Sequence, residues 1–270
     1  MYEDYWGVTE PPFSLTPNPK FLYLSEKHQN ALTMLLFTIT RNKGAGMIAG
    51  EPGSGKTTLS RRLLQELPEE KYRVAMVVNP RLTPVQLFRE ILTQFGLYDL
   101  GRTKQELIQQ LNSFLLDLYN EGRKAVLIVD EAHLIRNMDT FEELRLLLNF
   151  QLNDEFLITL LLLGQPQLID IIEKNPALRQ RLAVRYRLEP LNRMEVEEMI
   201  KFRLKAAWYI GPDIFTPDAL DELYEYSKGI PRVVCEIVDN ALLFGMLKQV
   251  RKIDGFLMRQ VIMDFEGKEW

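Results

Sequence analysis

The sequence predicts an α/β protein: a domain built on a five-stranded parallel sheet, followed by a small helical domain. Three observations predict it. Five short, mostly apolar runs, at 46–50, 73–78, 124–130, 157–164 and 184–191, alternate with stretches of helical spacing. That alternation is the order of parallel strands joined by crossover helices. A glycine-rich stretch, "GEPGSGKT" at 50–57, lies between the first run and a helical one. From Asn192 onward the pattern is helical only. The expected divisions are an aromatic and proline-rich arm over 1–24 packed on the core, the α/β domain over 25–190 and a helical domain over 191–270.

Each element has its own justification. Pro11, Pro12, Pro17 and Pro19 fall in the opening twenty residues, so the arm should be extended rather than helical. Ser25 is placed to cap a helix running to about Arg41. "GMIAG" is the first strand, and "KTTLSRRLLQEL" has helical spacing. "RVAMVV" is a β-branched run; Thr83 with Pro84 then starts a helix that Gly96 ends. Thr103 and Glu106 form a capping box for the next helix, closed by Gly122. "KAVLIVD" and "LITLLLLG" are continuous apolar runs, as in strands buried on both faces. "VRYRLEPL" reads as an edge strand with Arg185 and Arg187 on one face. Asn192 caps a helix, Thr216 with Pro217 starts another that ends near Gly229, a third begins about Pro231, and "GFLMRQVIMDF" fits a fourth.

Bulk composition excludes several classes. The 270 residues carry 37 Asp+Glu against 33 Lys+Arg, a net charge of −4, which does not suit a protein that coats nucleic acid non-specifically. Cys235 is the single cysteine, so no intrachain disulfide forms. Two histidines and one thiol are too few for a zinc-type cluster. The start, "MYEDYWGVTEPPF", lacks the basic and apolar regions of a secretory signal. The longest apolar run, at 156–163, falls short of the ~18 residues that span a bilayer. A soluble, cytoplasmic protein is expected.

The chemistry concentrates in four places. "GEPGSGKT" matches G-x-x-x-x-G-K-[ST] with a strand before it and a helix after it. Gly50, Glu51, Pro52, Gly53, Ser54 and Gly55 would form a loop around the phosphates of ATP, turning inward the backbone N–H groups that all but Pro52 carry, with Thr58 following in the helix. Lys56 supplies a point charge to the β- and γ-phosphates, and the Thr57 hydroxyl can ligate Mg²⁺. In "VLIVDEAH", Asp130 ends a buried strand where the Mg²⁺-holding acid of such a protein belongs. Glu131 follows as the general base for an attacking water. His133 completes "DEAH" and reads as a polar neighbour without chemistry. "LLLLGQPQL" ends a strand with Gln165, placed either to sense the γ-phosphate or attacking water, or to serve the turn before Pro166. "GIPRVV" puts Arg232 at the start of a helix that can fold over the phosphates.

In this order, phosphate loop, acid pair, polar strand-end residue and "G-x-P-R" arginine resemble the AAA+ ATPases, a P-loop NTPase fold with a helical lid. More narrowly, "EPPFSLTPNPKFLYLSEKHQNAL", "FEELRLLLNFQ", "GQPQL" and "LRQRL" resemble the ExeA/GspA-like family of type II secretion, pilus and exopolysaccharide export loci. Transposition ATPases of the TniB/TnsC kind share this core. The resemblance implies an ATP- and Mg²⁺-dependent homo-oligomer, ring or filament, that serves as a switch or motor in assembling an envelope export system. An envelope-machinery or membrane-protein partner is implied, and the protein can lie peripheral to the inner membrane through it. The alternative is a DNA-binding ATPase that regulates transposition or replication; the net charge disfavours DNA, though Arg41, Lys43, Arg61 and Arg62 could line an inner surface. Secretion members often continue into a membrane span and a peptidoglycan-binding domain. This sequence ends at Trp270, so cell-wall binding is not carried over.

The resemblance also gives a use for "RQRLAVRYR" at 179–187. AAA+ proteins complete each ATP site with a neighbour's arginine, which stabilises charge on the transferring phosphoryl group and is worth about 10³–10⁵ in rate where measured. Arg181 is the first choice for this finger and Arg179 the second, against a reading as surface ion pairs. Arg185 and Arg187 read as a solvated or interface strand face. Trp6, Phe13, Phe21 and Tyr23 either wall an adenine pocket or are plain packing.

Overall fold

The computed structural model describes all residues except Pro17, Asn153, Asp154 and 268–270. They form two compact units, Lys27–Gly50 with Leu59–Leu188, and Met1–Glu26 with Glu51–Thr58 and Glu189–Trp270.

The arm departs from the extended expectation at two points. It opens with a one-turn helix, α1 (Glu3–Trp6), and has a 3₁₀ turn at Pro19–Phe21. The prolines begin only at residue 11, so nothing in 3–6 forbids helical backbone, and Pro19 occupies a first-turn position, where its missing N–H costs nothing. Tyr2, Trp6, Val8, Phe13 and Phe21 are all buried in the core of the helical unit. Trp6 donates its indole N–H to the Leu242 carbonyl at 2.8 Å, and Tyr23 donates to the Glu198 carboxylate at 2.5 Å. Burial and the acceptors Asp239 and Glu198 raise the Tyr2 and Tyr23 hydroxyls above the ordinary phenol range. The arm's aromatics are thus packing groups of this unit.

The α/β unit contains α2 (Glu26–Thr40, from Lys27 on), β1 (Ala45–Gly50), α3 (Lys56–Gln65, from Leu59 on), β2 (Tyr72–Val77), α4 (Pro84–Gln94), α5 (Lys104–Asn120) and β3 (Lys124–Val129). There follow α6 (Met138–Leu147), a small hairpin of β4 (Gln151–Leu152) and β5 (Glu155–Phe156), β6 (Ile158–Gly164), α7 (Gln167–Glu173), α8 (Pro176–Arg179) and β7 (Leu182–Leu188). The five-stranded sheet runs in the order β2-β3-β6-β1-β7, with every pair parallel. Central β6 is buried at every residue, as its unbroken apolar run requires. On edge strand β7, Ala183, Arg185 and Arg187 are exposed, the period-2 signature of a strand with one open face. The strand stops at Leu188, because Pro190 cannot continue a ladder.

Capping residues start the helices where their chemistry dictates. Thr83 with Gln86 and Thr103 with Glu106 form complete capping boxes on α4 and α5.

In the helical unit, α9 (Arg193–Ala206), α10 (Pro217–Ser227), α11 (Pro231–Leu247) and α12 (Gly255–Phe265) enclose a separate apolar core. Asn192 with Glu195 caps α9, and the Thr216 hydroxyl accepts from the Ala219 N–H at α10. Among the described residues no helix is long and apolar enough to cross a membrane.

Candidate functional site

The candidate residues lie in both units. Glu51–Thr58 and Arg232 belong to the helical unit; Gly50, Asp130, Glu131, Gln165, Arg179 and Arg181 belong to the α/β unit.

The phosphate loop owes its course to its glycines. Gly53 and Gly55 have φ of 78° and 97°, left-handed values that side-chain-bearing residues adopt only with strain. The Ser54 N–H donates to the Glu51 carbonyl at 3.1 Å and closes the turn. Buried Lys56 donates its Nζ to the same carbonyl at 2.9 Å, which folds the ammonium back along its own loop. Gly53 is required by space as well as by φ: a Cβ there would lie 2.7 Å from the Arg232 Cβ and 3.2 Å from the Ile230 Cγ2. The Arg232 N–H donates to the Gly53 carbonyl at 3.2 Å. The "GIPR" turn therefore rests on the phosphate loop, backbone to backbone. Pro231 takes the first position of α11, where its absent N–H is no loss, and the Arg232 side chain is exposed just beyond it.

The acid pair sits where β3 ends. The Asp130 N–H donates to the Val77 carbonyl at 2.9 Å, prolonging the β2–β3 pairing by one residue, and Asp130 is buried. Its Oδ1 accepts the Glu131 N–H at 2.9 Å. Glu131 has φ 50° and ψ 36°. Left-handed backbone at a non-glycine residue costs of order 1–3 kcal/mol and is concentrated at functional positions. It swings the chain out of the strand into a 3₁₀ turn, Ala132–Leu134. The Glu131 Oε2 is buried and has no hydrogen-bond partner among the described residues. His133 Nδ1 lies 3.3 Å from it, and the Gln165 N–H donates to that Nδ1 at 3.2 Å. Glu131, His133 and Gln165 thus meet at the carboxyl ends of adjacent β3 and β6, the end at which open α/β sheets bind ligands. His133, read from the sequence as a polar neighbour of the acid pair, touches both Glu131 and Gln165. Its only sequence signal was its place two residues after Glu131.

The arginine run is divided. Helix α8 ends at Arg179, and Arg181 lies on the turn before β7 rather than in the helix. Arg179 and Arg185 pair with the same carboxylate, Glu173, at 2.6 and 3.1 Å. All three side chains are nearly half exposed, so these pairs contribute about 0–1 kcal/mol each. Among the described residues, Arg181 has one long contact, 3.4 Å from Nη2 to the Asn149 Oδ1. Thr57 and Asp130 offer a hydroxyl and a carboxylate, the hard oxygen donors that Mg²⁺ selects.

Comparison with known proteins agrees with this architecture. Residues 39–172 match the family model described as an AAA domain. The chain is 40% identical over 258 residues to General secretion pathway protein A of Aeromonas hydrophila, covering 94% of this chain and 46% of that protein. It spans less than two thirds of the length of the curated relatives it matches. Among solved structures, the Aeropyrum pernix ORC2 protein superposes with a TM-score of 0.66 at 18% identity, covering 94% of this chain and 71% of that one. Drosophila ORC, solved bound to DNA, gives 0.70 at 19%, covering 94% and 64%. At such identities the superpositions establish the fold alone.

Proposed function

Because the chain belongs to the AAA+ family, on the branch it shares with General secretion pathway protein A, we propose that it is an ATP-hydrolysing oligomer, a switch or motor in assembling an envelope secretion, pilus or export system. The observation that carries hydrolysis, rather than binding alone, is Glu131. Its carboxylate is held by left-handed backbone beside a buried strand end, with one oxygen unbonded and able to accept a proton. The 40% identity supports the secretion role. The protein is read as cytoplasmic, reaching the inner membrane through a partner.

The residues divide the work. Backbone N–H groups of the loop 50–55, Pro52 excepted, and the Lys56 ammonium bind the phosphates. Thr57 and Asp130 would hold Mg²⁺, which when bound neutralises charge on the β- and γ-phosphate oxygens. Glu131 takes the proton of the attacking water, Gln165 orients that water or reads the γ-phosphate, and Arg232 closes from the lid. Arg181, or Arg179 after it, serves a neighbour's site.

The test is ATP turnover per subunit across protein concentrations, with and without duplex DNA, for the wild type and Glu131→Gln. The expected result is turnover that rises with concentration, is indifferent to DNA, and falls by ~10² or more in the variant while nucleotide still binds. Normal turnover by Glu131→Gln removes Glu131 from the role. Strong stimulation by DNA, lost as salt rises, replaces the export reading with that of a DNA-binding regulator.

A further inference from the structure

We infer that His133 is a positioning residue that leaves the Glu131 carboxylate without a competing donor and links it to the end of β6; the inference rests on the hydrolytic reading above. Its Nδ1 lies at the meeting point of two groups, the Gln165 N–H at 3.2 Å and the Glu131 Oε2 at 3.3 Å. A ring nitrogen that accepts a hydrogen bond carries no proton, so it has none to donate elsewhere. With its one lone pair taken by the Gln165 N–H, Nδ1 has no proton to give the carboxylate. The Glu131 Oε2 is accordingly buried and unbonded. A buried carboxylate oxygen normally acquires a donor. Here the neighbour within reach is occupied by the backbone N–H of Gln165, just beyond β6, and among the described residues the oxygen keeps an unused acceptor site.

The imidazole is well placed to enforce this. Its side chain is only 9% exposed. It stands on the short turn that follows Glu131, and that turn packs against β6: a Cβ on Gly164 would lie 3.3 Å from the His133 backbone N. The backbone that carries the ring is thus held close to the end of β6. The link also runs the other way. A shift of Gln165 toward a ligand would withdraw the N–H from Nδ1 and change what faces the carboxylate. A hydrolytic residue and a strand-end sensor are joined through one nitrogen.

Three variants of the full chain test this, each measured for kcat at saturating ATP, for affinity with a fluorescent ATP analogue and for melting temperature. His133→Ala removes the acceptor and should lower kcat ~10-fold or more, with affinity within about threefold. His133→Asn restores an oxygen that can accept the Gln165 N–H and should recover kcat to within about threefold of wild type. His133→Lys offers only donors, which bind the Glu131 carboxylate, and should lower kcat at least as far as alanine does. The inference is overturned if His133→Ala turns over normally, or if asparagine and lysine at this position give equal kcat in proteins of equal melting temperature. Should His133→Ala not fold, the asparagine and lysine pair decides alone. Absence of wild-type turnover, or full turnover in Glu131→Gln, sinks the hydrolytic reading itself and is thereby distinguished from failure of the role given to His133.

Discussion

Left-handed backbone occurs at both Glu131 and Gly229, for different reasons. At Glu131, φ is 50° and the strain accompanies a largely buried turn that re-aims a carboxylate. At Gly229, φ is 73° and the constraint is space: a Cβ would lie 1.8 Å from the Leu191 carbonyl oxygen and 2.8 Å from its carbon. These are backbone atoms and cannot rotate aside. The same turn is tied by the Leu191 N–H donating to the Gly229 carbonyl at 3.0 Å. Two residues later begins α11, which carries Arg232 onto the phosphate loop. Gly229→Ala should therefore destabilise the helical unit and weaken nucleotide binding. Gly7→Ala is the matched control, since Gly7 has φ of 74° with nothing within 4 Å of its would-be Cβ. Beyond the shared cost of the left-handed backbone, Gly229→Ala should lose at least about 2 kcal/mol more, the scale of forced overpacking. Thermal melting of the two variants checks this, and equal losses would show that the turn is not space-limited.

At the scale of elements, what the sequence made legible was what local chemistry writes. The apolar runs of β1, β2, β3 and β6 coincide with strands because each is buried on the faces its composition requires. The caps Thr83, Thr103, Asn192 and Thr216 coincide with helix starts because the oxygen and the N–H it accepts are three residues apart. Short α7 escaped notice, since Pro166 at its start makes no side-chain cap bond. The hairpin of β4 and β5 pairs only two residues per strand, too few to show a period. His133 was illegible for another reason: its partner Gln165 is 32 residues away, and only the β3–β6 adjacency brings them together. Helix α11 makes a further prediction. Burial pushes the Cys235 thiol up to about 11. A folded pKa above the unfolded value near ~8.5 means stability is unaffected below that pH and is lost as pH rises toward the folded value. Between pH 8 and pH 10 the wild type should lose about 1–2 kcal/mol more than Cys235→Ala, whose other titrating groups are the same. Urea midpoints at the two pH values measure it, and parallel losses would mean that the thiol is not desolvated.

The whole molecule raises the question of which arginine reaches a neighbour's nucleotide. Arg179 and Arg185 are already joined to Glu173, and moving either means breaking an ion pair. Among the described residues Arg181 has only the long contact to Asn149, and it stands on a turn, so it is the more readily redirected guanidinium. If it acts in trans, a competent site needs Glu131 from one subunit and Arg181 from the next. Glu131→Gln and Arg181→Ala proteins would each be nearly inactive alone. Mixed in equal amounts and allowed to exchange, they would form wild-type sites wherever an Arg181→Ala subunit meets the arginine of a Glu131→Gln neighbour. Random assembly places that pairing at about a quarter of the interfaces, so turnover should recover to roughly a quarter of the wild-type value. A finger acting within its own subunit gives no recovery at any mixing ratio. Normal turnover by Arg181→Ala alone, with Arg179→Ala inactive alone and recovering in the mixture, would transfer the role to Arg179 in spite of its bond to Glu173. The experiment also reads oligomerisation directly, because subunits that never share an interface cannot complement.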